Sequence, residues 1–219
     1  MIDLEQQGDV YILRMNDDEN RFNQESIAAW NAALDEVEGA QGPRALVTTG
    51  TRKFYSNGLD LDWMTGDGKD GAESFLDSVH ALFARVLCFP AITVAAINGH
   101  AFAGGGMLAL AHDFRVMRED RGYFCLPEID LGMPLTEGMT ALIQSKLPVP
   151  TRHEAIVTGR RYGGAEARAA EIVHRAVSET DVLPTAVEIA KPLTDKHPAT
   201  LTALKTGLYS RTLKKLISD

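Results

Sequence analysis

Three short stretches of this sequence hold residue types that could do chemistry. Two are glycine-containing loops after strands: Phe54-Tyr55-Ser56-Asn57-Gly58-Leu59-Asp60-Leu61 and Asn98-Gly99-His100-Ala101-Phe102-Ala103-Gly104-Gly105-Gly106. The third, Leu126-Pro127-Glu128-Ile129-Asp130-Leu131-Gly132, carries a carboxylate in an apolar setting. Glycine lets a backbone approach a ligand closely. A helix that starts at the Gly104–Gly106 triplet begins with unsatisfied N–H groups and a dipole that favours negative charge. Two such donors meeting at one oxygen would stabilise an oxyanion. Glu128 follows Phe124-Cys125-Leu126-Pro127 and precedes Ile129 and Leu131. Desolvation there raises a carboxyl pKa and suits it to proton transfer.

Each feature also has a plainer reading. A glycine triplet before a helix is more often a packing device. Asn57-Gly58 alone reads as a hairpin turn, and a lone glutamate is usually a surface residue. The triplet is not a Walker loop, because no Gly-Lys-Ser/Thr follows, and it lacks the G-x-G-x-x-G spacing of a dinucleotide site. The histidines (His80, His100, His112, His153, His174 and His197) show no metal-ligand spacing, and there is no Cys-x-x-Cys, so no metal site is expected. His112-Asp113 reads as a helix-end anchor. A Gly-x-Ser-x-Gly elbow is missing, which argues against a serine hydrolase.

The elements that must position these stretches follow from periodicity. Residues 9–15 alternate as a strand with Val10 and Ile12 on one face. Asn23 can cap a helix carrying Ile27, Trp30, Leu34 and Val37 on one stripe. A short apolar strand follows at Ala45–Thr49, and a second helix over 72–88 aligns Phe75, Val79, Leu82 and Val86. A strand at Ile92–Ile97, a helix at Gly104–His112 and a strand at Phe114–Met117 complete a β-α-β-α-β-α-β order, which implies a parallel sheet. The glycine stretches then sit after strands, at the carboxyl ends where open α/β sheets bind ligands. Beyond 137 the pattern is helical, with candidates at 137–146, 151–158, 165–170, 182–196 and 199–217. The last aligns Leu201, Leu204, Leu208 and Leu216. This divides the chain into a core over 1–145 with the chemistry and a helical region over 146–219.

The totals bound the function classes. The 219 residues are 45% hydrophobic and 24% charged, with a net charge of −8. That is ordinary globular composition, long enough for a real core. The acidic balance and lack of basic runs argue against nucleic acid as a partner. Cys88 and Cys125, both flanked by apolar residues, read as buried free thiols suited to a reducing compartment, the cytoplasm. The N-terminus has no apolar core of a signal peptide, no run reaches the length of a membrane span, and the C-terminus is no SKL-type signal.

Taken together, in this order and spacing, the stretches resemble the crotonase (enoyl-CoA hydratase/isomerase) family. Phe54–Leu61 resembles its F-S-A-G-x-D-L loop, Asn98–Gly106 its N-G-x-A-x-G-G-G segment, and Pro127–Gly132 its P-E-x-x-L-G segment. Ala111-His112-Asp113-Phe114-Arg115 is similar to its C-D-x-R strand entry. The resemblance implies a ββα superhelix of stacked parallel sheets, with a helical C-terminal region that packs on neighbouring subunits in trimers or hexamers. It implies an acyl-CoA thioester as substrate, with no separate cofactor. The family's oxyanion donors fall on the backbone N–H of Leu59 and Gly105. Phe54, Tyr55, Ser56, Asn57, Gly58 and Gly104 would contact CoA, the loop Phe54–Asn57 mainly through backbone groups, and Lys205 matches the closing-helix lysine that reaches it.

One departure carries information. Family hydratases use two glutamates, one just after the triplet and one in the P-E segment. Here the first position is read as Leu108 and only Glu128 is kept. Hydration calls for a positioned water and usually both acids, whereas moving a proton between C2 and C4 needs one base. The pattern therefore resembles the Δ3,Δ2-enoyl-CoA isomerases of the family. Glu137, in the pair Glu137-Gly138, is a rival base to Glu128. Trp63, Met64, Phe83, Met107 and Leu135 are acyl-pocket candidates that read equally well as core. Hydration, thioester hydrolysis, dehalogenation, and acyl-CoA or RNA binding without turnover remain the alternatives.

Overall fold

The computed structural model describes residues 1–217. In chain order its elements begin with β1 (Ile2–Gln7), β2 (Val10–Met15), α1 (Gln24–Gly39), β3 (Ala45–Gly50), β4 (Phe54–Ser56), α2 (Leu61–Thr65) and α3 (Ala72–Leu87). The middle of the chain forms β5 (Ile92–Ile97), β6 (His100–Phe102), α4 (Gly104–Ala111), β7 (Phe114–Arg118), β8 (Phe124–Cys125), α5 (Glu128–Leu131) and α6 (Glu137–Lys146). The last part holds α7 (Val149–Thr158), α8 (Gly164–Ala169), β9 (Arg175–Val177), α9 (Val182–Ala190), α10 (Pro198–Leu208) and α11 (Ser210–Leu216).

Six strands form the main sheet in the order β1-β2-β3-β5-β7-β9, parallel throughout except for the β1–β2 hairpin. Every residue of β3 and of β5 is buried, as expected of central parallel strands covered on both faces. One face packs under α1, α3 and α4 through Trp30, Leu34, Phe83 and Val86 among others. The other face presents Val10, Ile12, Val47, Val94 and Val116 to Val182, Ala186 and Ala190 of α9. A second, three-stranded parallel sheet, β4-β6-β8, stands beside it and holds both glycine stretches. The stacked parallel sheets flanked by helices match the expected architecture.

The helix expectations hold closely in the first half. Asn23 caps α1, accepting from Ser26 N–H at 2.9 Å, and Ile27, Trp30, Leu34 and Val37 are its buried face. Phe75, Val79, Leu82 and Val86 are buried on α3. In the second half the region after 146 is mostly helical; the short strand β9 pairs with β7, and α9 covers the main sheet. The last helix breaks at Tyr209 into α10 and α11. Leu204 and Leu208 are 66% and 73% exposed, while Leu216 is buried. The residue that α10 buries is Lys205. Among the described residues no helix is long and apolar enough to cross a membrane.

Candidate active site

The two glycine turns meet backbone to backbone. Beyond β4 the chain turns at Gly58 with φ +81°, a conformation that favours glycine, and a Cβ there would lie 2.8 Å from the Gly104 nitrogen. Gly105 packs against the Ser56 carbonyl so tightly that any Cβ would overlap it. A single bridge holds the first turn: Phe22 N–H donates to Gly58 O at 2.7 Å and Asp60 N–H donates to Phe22 O at 2.9 Å. That pattern leaves the Leu59 N–H out. At the start of α4, Ala103 takes φ 48° and ψ −123° and supplies no side-chain cap. Among the described residues, neither Leu59 N–H nor Gly104 N–H donates to a protein acceptor.

A chain of buried polar groups ties these turns to the main sheet. Tyr55 OH lies 2.8 Å from Thr48 Oγ1, which lies 2.9 Å from His112 Nε2. His112 Nδ1 reaches Leu108 O at 2.8 Å. Burial pushes His112 down to about 3, so the ring is neutral. One arrangement satisfies every member: Tyr55 donates to Thr48, Thr48 to Nε2, and Nδ1–H to Leu108 O. His112 is therefore the helix-end anchor, here linking α4 to β3 and β4.

Beside the turns lies a cavity of about 440 Å³. Leu59, Ala103, Gly104 and Glu128 line it together. Its apolar wall is Leu61, Met64, Leu76, Met107, Leu131, Met133, Leu135 and Met139. Arg21, Asn57, Asp62, Cys125, Thr136 and Arg161 supply the polar atoms. Glu128 is the first residue of α5. Its Oε2 is buried and has no hydrogen-bond partner among the described residues. Burial raises its pKa above the ordinary glutamate value, offset in part by its own backbone N–H. The other carboxylate of the cavity, Asp62, is ion-paired to Arg21 at 3.0 Å.

Several expected site residues are elsewhere. Gly104 lines the cavity and Gly105 lies against Ser56 one residue deeper; the Gly105 N–H, like that of Gly104, donates to no protein acceptor among the described residues. Met107 faces the cavity after the triplet, and Leu108, which stands at the family's first-glutamate position, is fully buried. Phe54, Tyr55 and Ser56 are buried and structural: Ser56 Oγ donates to Asn20 O at 2.7 Å and accepts from Gly58 N–H. Of the first stretch, Asn57, Leu59 and Leu61 reach the cavity.

Lys205 is 5% exposed and points into the fold, donating to Phe89 O, Ala91 O and Asp113 Oδ2 at 3.1, 3.0 and 2.6 Å. An ammonium so occupied has no donor left for CoA. Glu137 is exposed and paired to Lys215 at 2.5 Å, which holds its carboxyl below the ordinary value. It does not line the cavity, although its neighbour Thr136 does. Met64, Met107 and Leu135 of the acyl-pocket candidates face the cavity, while Phe83 belongs to the core and Trp63 packs on Phe75. Arg161, Thr136 and Met139 carried no sequence signal, because they reach the cavity from elements distant in sequence. Among the described residues no cluster of His, Cys, Asp and Glu could hold a metal ion.

Comparisons with known proteins agree with this geometry. A family model described as enoyl-CoA hydratase/isomerase matches residues 5–218. The chain is 36% identical over 207 residues to the peroxisomal enoyl-CoA delta isomerase 2 of Arabidopsis thaliana, covering 90% of this chain and 86% of that one. It is 35% identical over 180 residues to a carnitinyl-CoA dehydratase of Salmonella agona, covering 82% and 68%. The human mitochondrial delta3-delta2-enoyl-CoA isomerase superposes with a TM-score of 0.91 at 25% identity, covering 99% of this chain and 86% of that one. The chain belongs to the enoyl-CoA hydratase/isomerase family.

Proposed function

We propose that the protein is a Δ3,Δ2-enoyl-CoA isomerase that works with one carboxylate. The observation that carries this reading is an unpartnered, partly desolvated Glu128 in a cavity whose other carboxylate, Asp62, is paired to Arg21, with Leu108 rather than an acid at the family's first-glutamate position. A 3-enoyl-CoA thioester would place its carbonyl oxygen at the Leu59 and Gly105 N–H groups. Ionised Glu128 takes a proton from C2, and the electron pair moves onto the thioester oxygen as an enolate. The same carboxylic acid returns that proton at C4, and the double bond settles between C2 and C3. Comparable oxyanion donors are worth roughly 3 kcal/mol each.

The burial of Glu128 fits a base whose pKa is lifted towards the working pH. The apolar wall keeps water from the enolate. Exposed Leu204 and Leu208 support assembly with further copies of the chain, expected as trimers, which sedimentation checks. Incubation with a 3-enoyl-CoA should raise the ultraviolet absorbance of the conjugated thioester. Release of free CoA, or a product heavier by one water with no conjugated intermediate, would refute the assignment.

A further inference from the structure

Two arginines line the cavity, and their surroundings differ. Arg21 is neutralised three times over, by Glu19 at 2.7 Å, Asp62 at 3.0 Å and Asp60 at 3.7 Å. Arg161 has no carboxylate within ion-pair distance among the described residues. Its guanidinium stands 5.8 Å from the centre of the Phe102 ring, two residues before Gly104. The neighbouring Arg160 takes both nearby acids, pairing with Glu154 at 3.0 Å and Glu166 at 2.8 Å. Arg161 is thus a cation at the rim without a carboxylate partner among the described residues, held over an aromatic face and beside the Cys125 thiol, in a chain with a net charge of −8.

The field around it is positive as well. Phe102 stacks on His100 at 4.7 Å, and His100 lies 5.3 Å from Phe54, whose ring carries Lys53 Nζ at 5.2 Å. Lys53, Arg161 and Arg121 all act on His100 as like charges. An aromatic-backed guanidinium presents a planar fork that matches phosphate and carboxylate oxygens.

We propose that Arg161 forms an anion subsite at the cavity rim, which receives an oxyanion of the bound thioester other than its carbonyl oxygen. This rests on the acyl-CoA reading of the cavity. The same chemistry has two sources, a phosphate of CoA or a carboxylate carried on the acyl chain.

The test compares the wild type with Arg161→Ala and Arg161→Lys on three substrates of equal chain length: a 3-enoyl-CoA, the corresponding 3-enoyl-pantetheine, which has no phosphate, and a 3-enoyl-CoA with a terminal carboxylate. Arg161 is exposed, so both variants should fold. With a phosphate as partner, Arg161→Ala lowers kcat/KM for both CoA thioesters by roughly ten- to a hundredfold, and the pantetheine thioester is unchanged. With an acyl carboxylate as partner, only the third substrate loses that factor. In either case Arg161→Lys keeps part of the rate, and added salt weakens the wild type more than the alanine variant. Equal rates for wild type and Arg161→Ala on all three substrates would overturn the proposal, as would an equal loss on all three including the pantetheine thioester. Failure of the wild type to isomerise any of them is a different result, since it removes the isomerase reading itself.

Discussion

Replacing Glu128 with glutamine should abolish activity while making the protein more stable, and the two effects share one cause. The carboxylate sits in an apolar wall with Oε2 unpartnered, and burial raises its pKa. The folded chain therefore holds the Glu128 proton more tightly than the unfolded chain does. The contribution of this group to stability is complete below the ordinary glutamate range, and it is lost as pH rises through the folded pKa. At mildly alkaline pH the ionised group is a burden on the fold. An unsatisfied buried polar atom costs about 1–3 kcal/mol, and a chain of this size moves its Tm by about 2–4 °C per kcal/mol. The amide retains part of that cost, so Glu128→Gln should raise Tm by about 2–5 °C at mildly alkaline pH and by little in mild acid. The rate of conjugated-thioester formation should fall by about a thousandfold, as for the loss of a general base. In the wild type, kcat should fall as pH drops through the raised pKa, because the base must be ionised. Differential scanning fluorimetry at two pH values and the ultraviolet assay read both arms. A glutamine variant of normal activity, or one that melts lower than wild type at alkaline pH, would refute the reasoning.

Met107→Glu places a second carboxylate in the same cavity. It should let a conjugated enoyl-CoA gain water, seen as a heavier product by mass spectrometry, and should raise the Glu128 pKa further, seen in the rate profile. Lys205→Met leaves Asp113 part-buried without its cation; it should lower stability by about 3–5 kcal/mol in denaturant unfolding and leave KM for the thioester unchanged in the folded fraction. Ala103→Gly relieves a left-handed alanine and should raise stability by about 1 kcal/mol, read as a higher Tm without loss of activity.

Much of the frame was legible because burial writes a period into the chain. The stripes of α1 and α3 and the all-apolar β3 and β5 are local signals, and they held. The short strands β4, β6, β8 and β9 were not legible, since two or three residues cannot show a period and their pairing is decided by tertiary contact. Of the site residues, Glu128, Leu59 and Gly104 line the cavity, and which side chain of α4 joins them was not legible, because α4 is buried along its whole length and gives no polar face to count from. Lys205 was named only by its match to the family's closing-helix lysine, which says nothing of its burial. In the fold it trades hydration for two carbonyls and a carboxylate.

The crossing of Gly58 with Gly104 and Gly105 also bears on how this architecture changes its chemistry. In the proposed reaction the electrophile-polarising element is written entirely in main chain, so no exchange of surrounding side chains rewrites it. Reaction type then becomes a matter of which functional groups decorate a fixed anchor point. Catalysts for new thioester chemistry are best sought by varying Met107, Thr136 and Met139 while both glycine turns are left untouched.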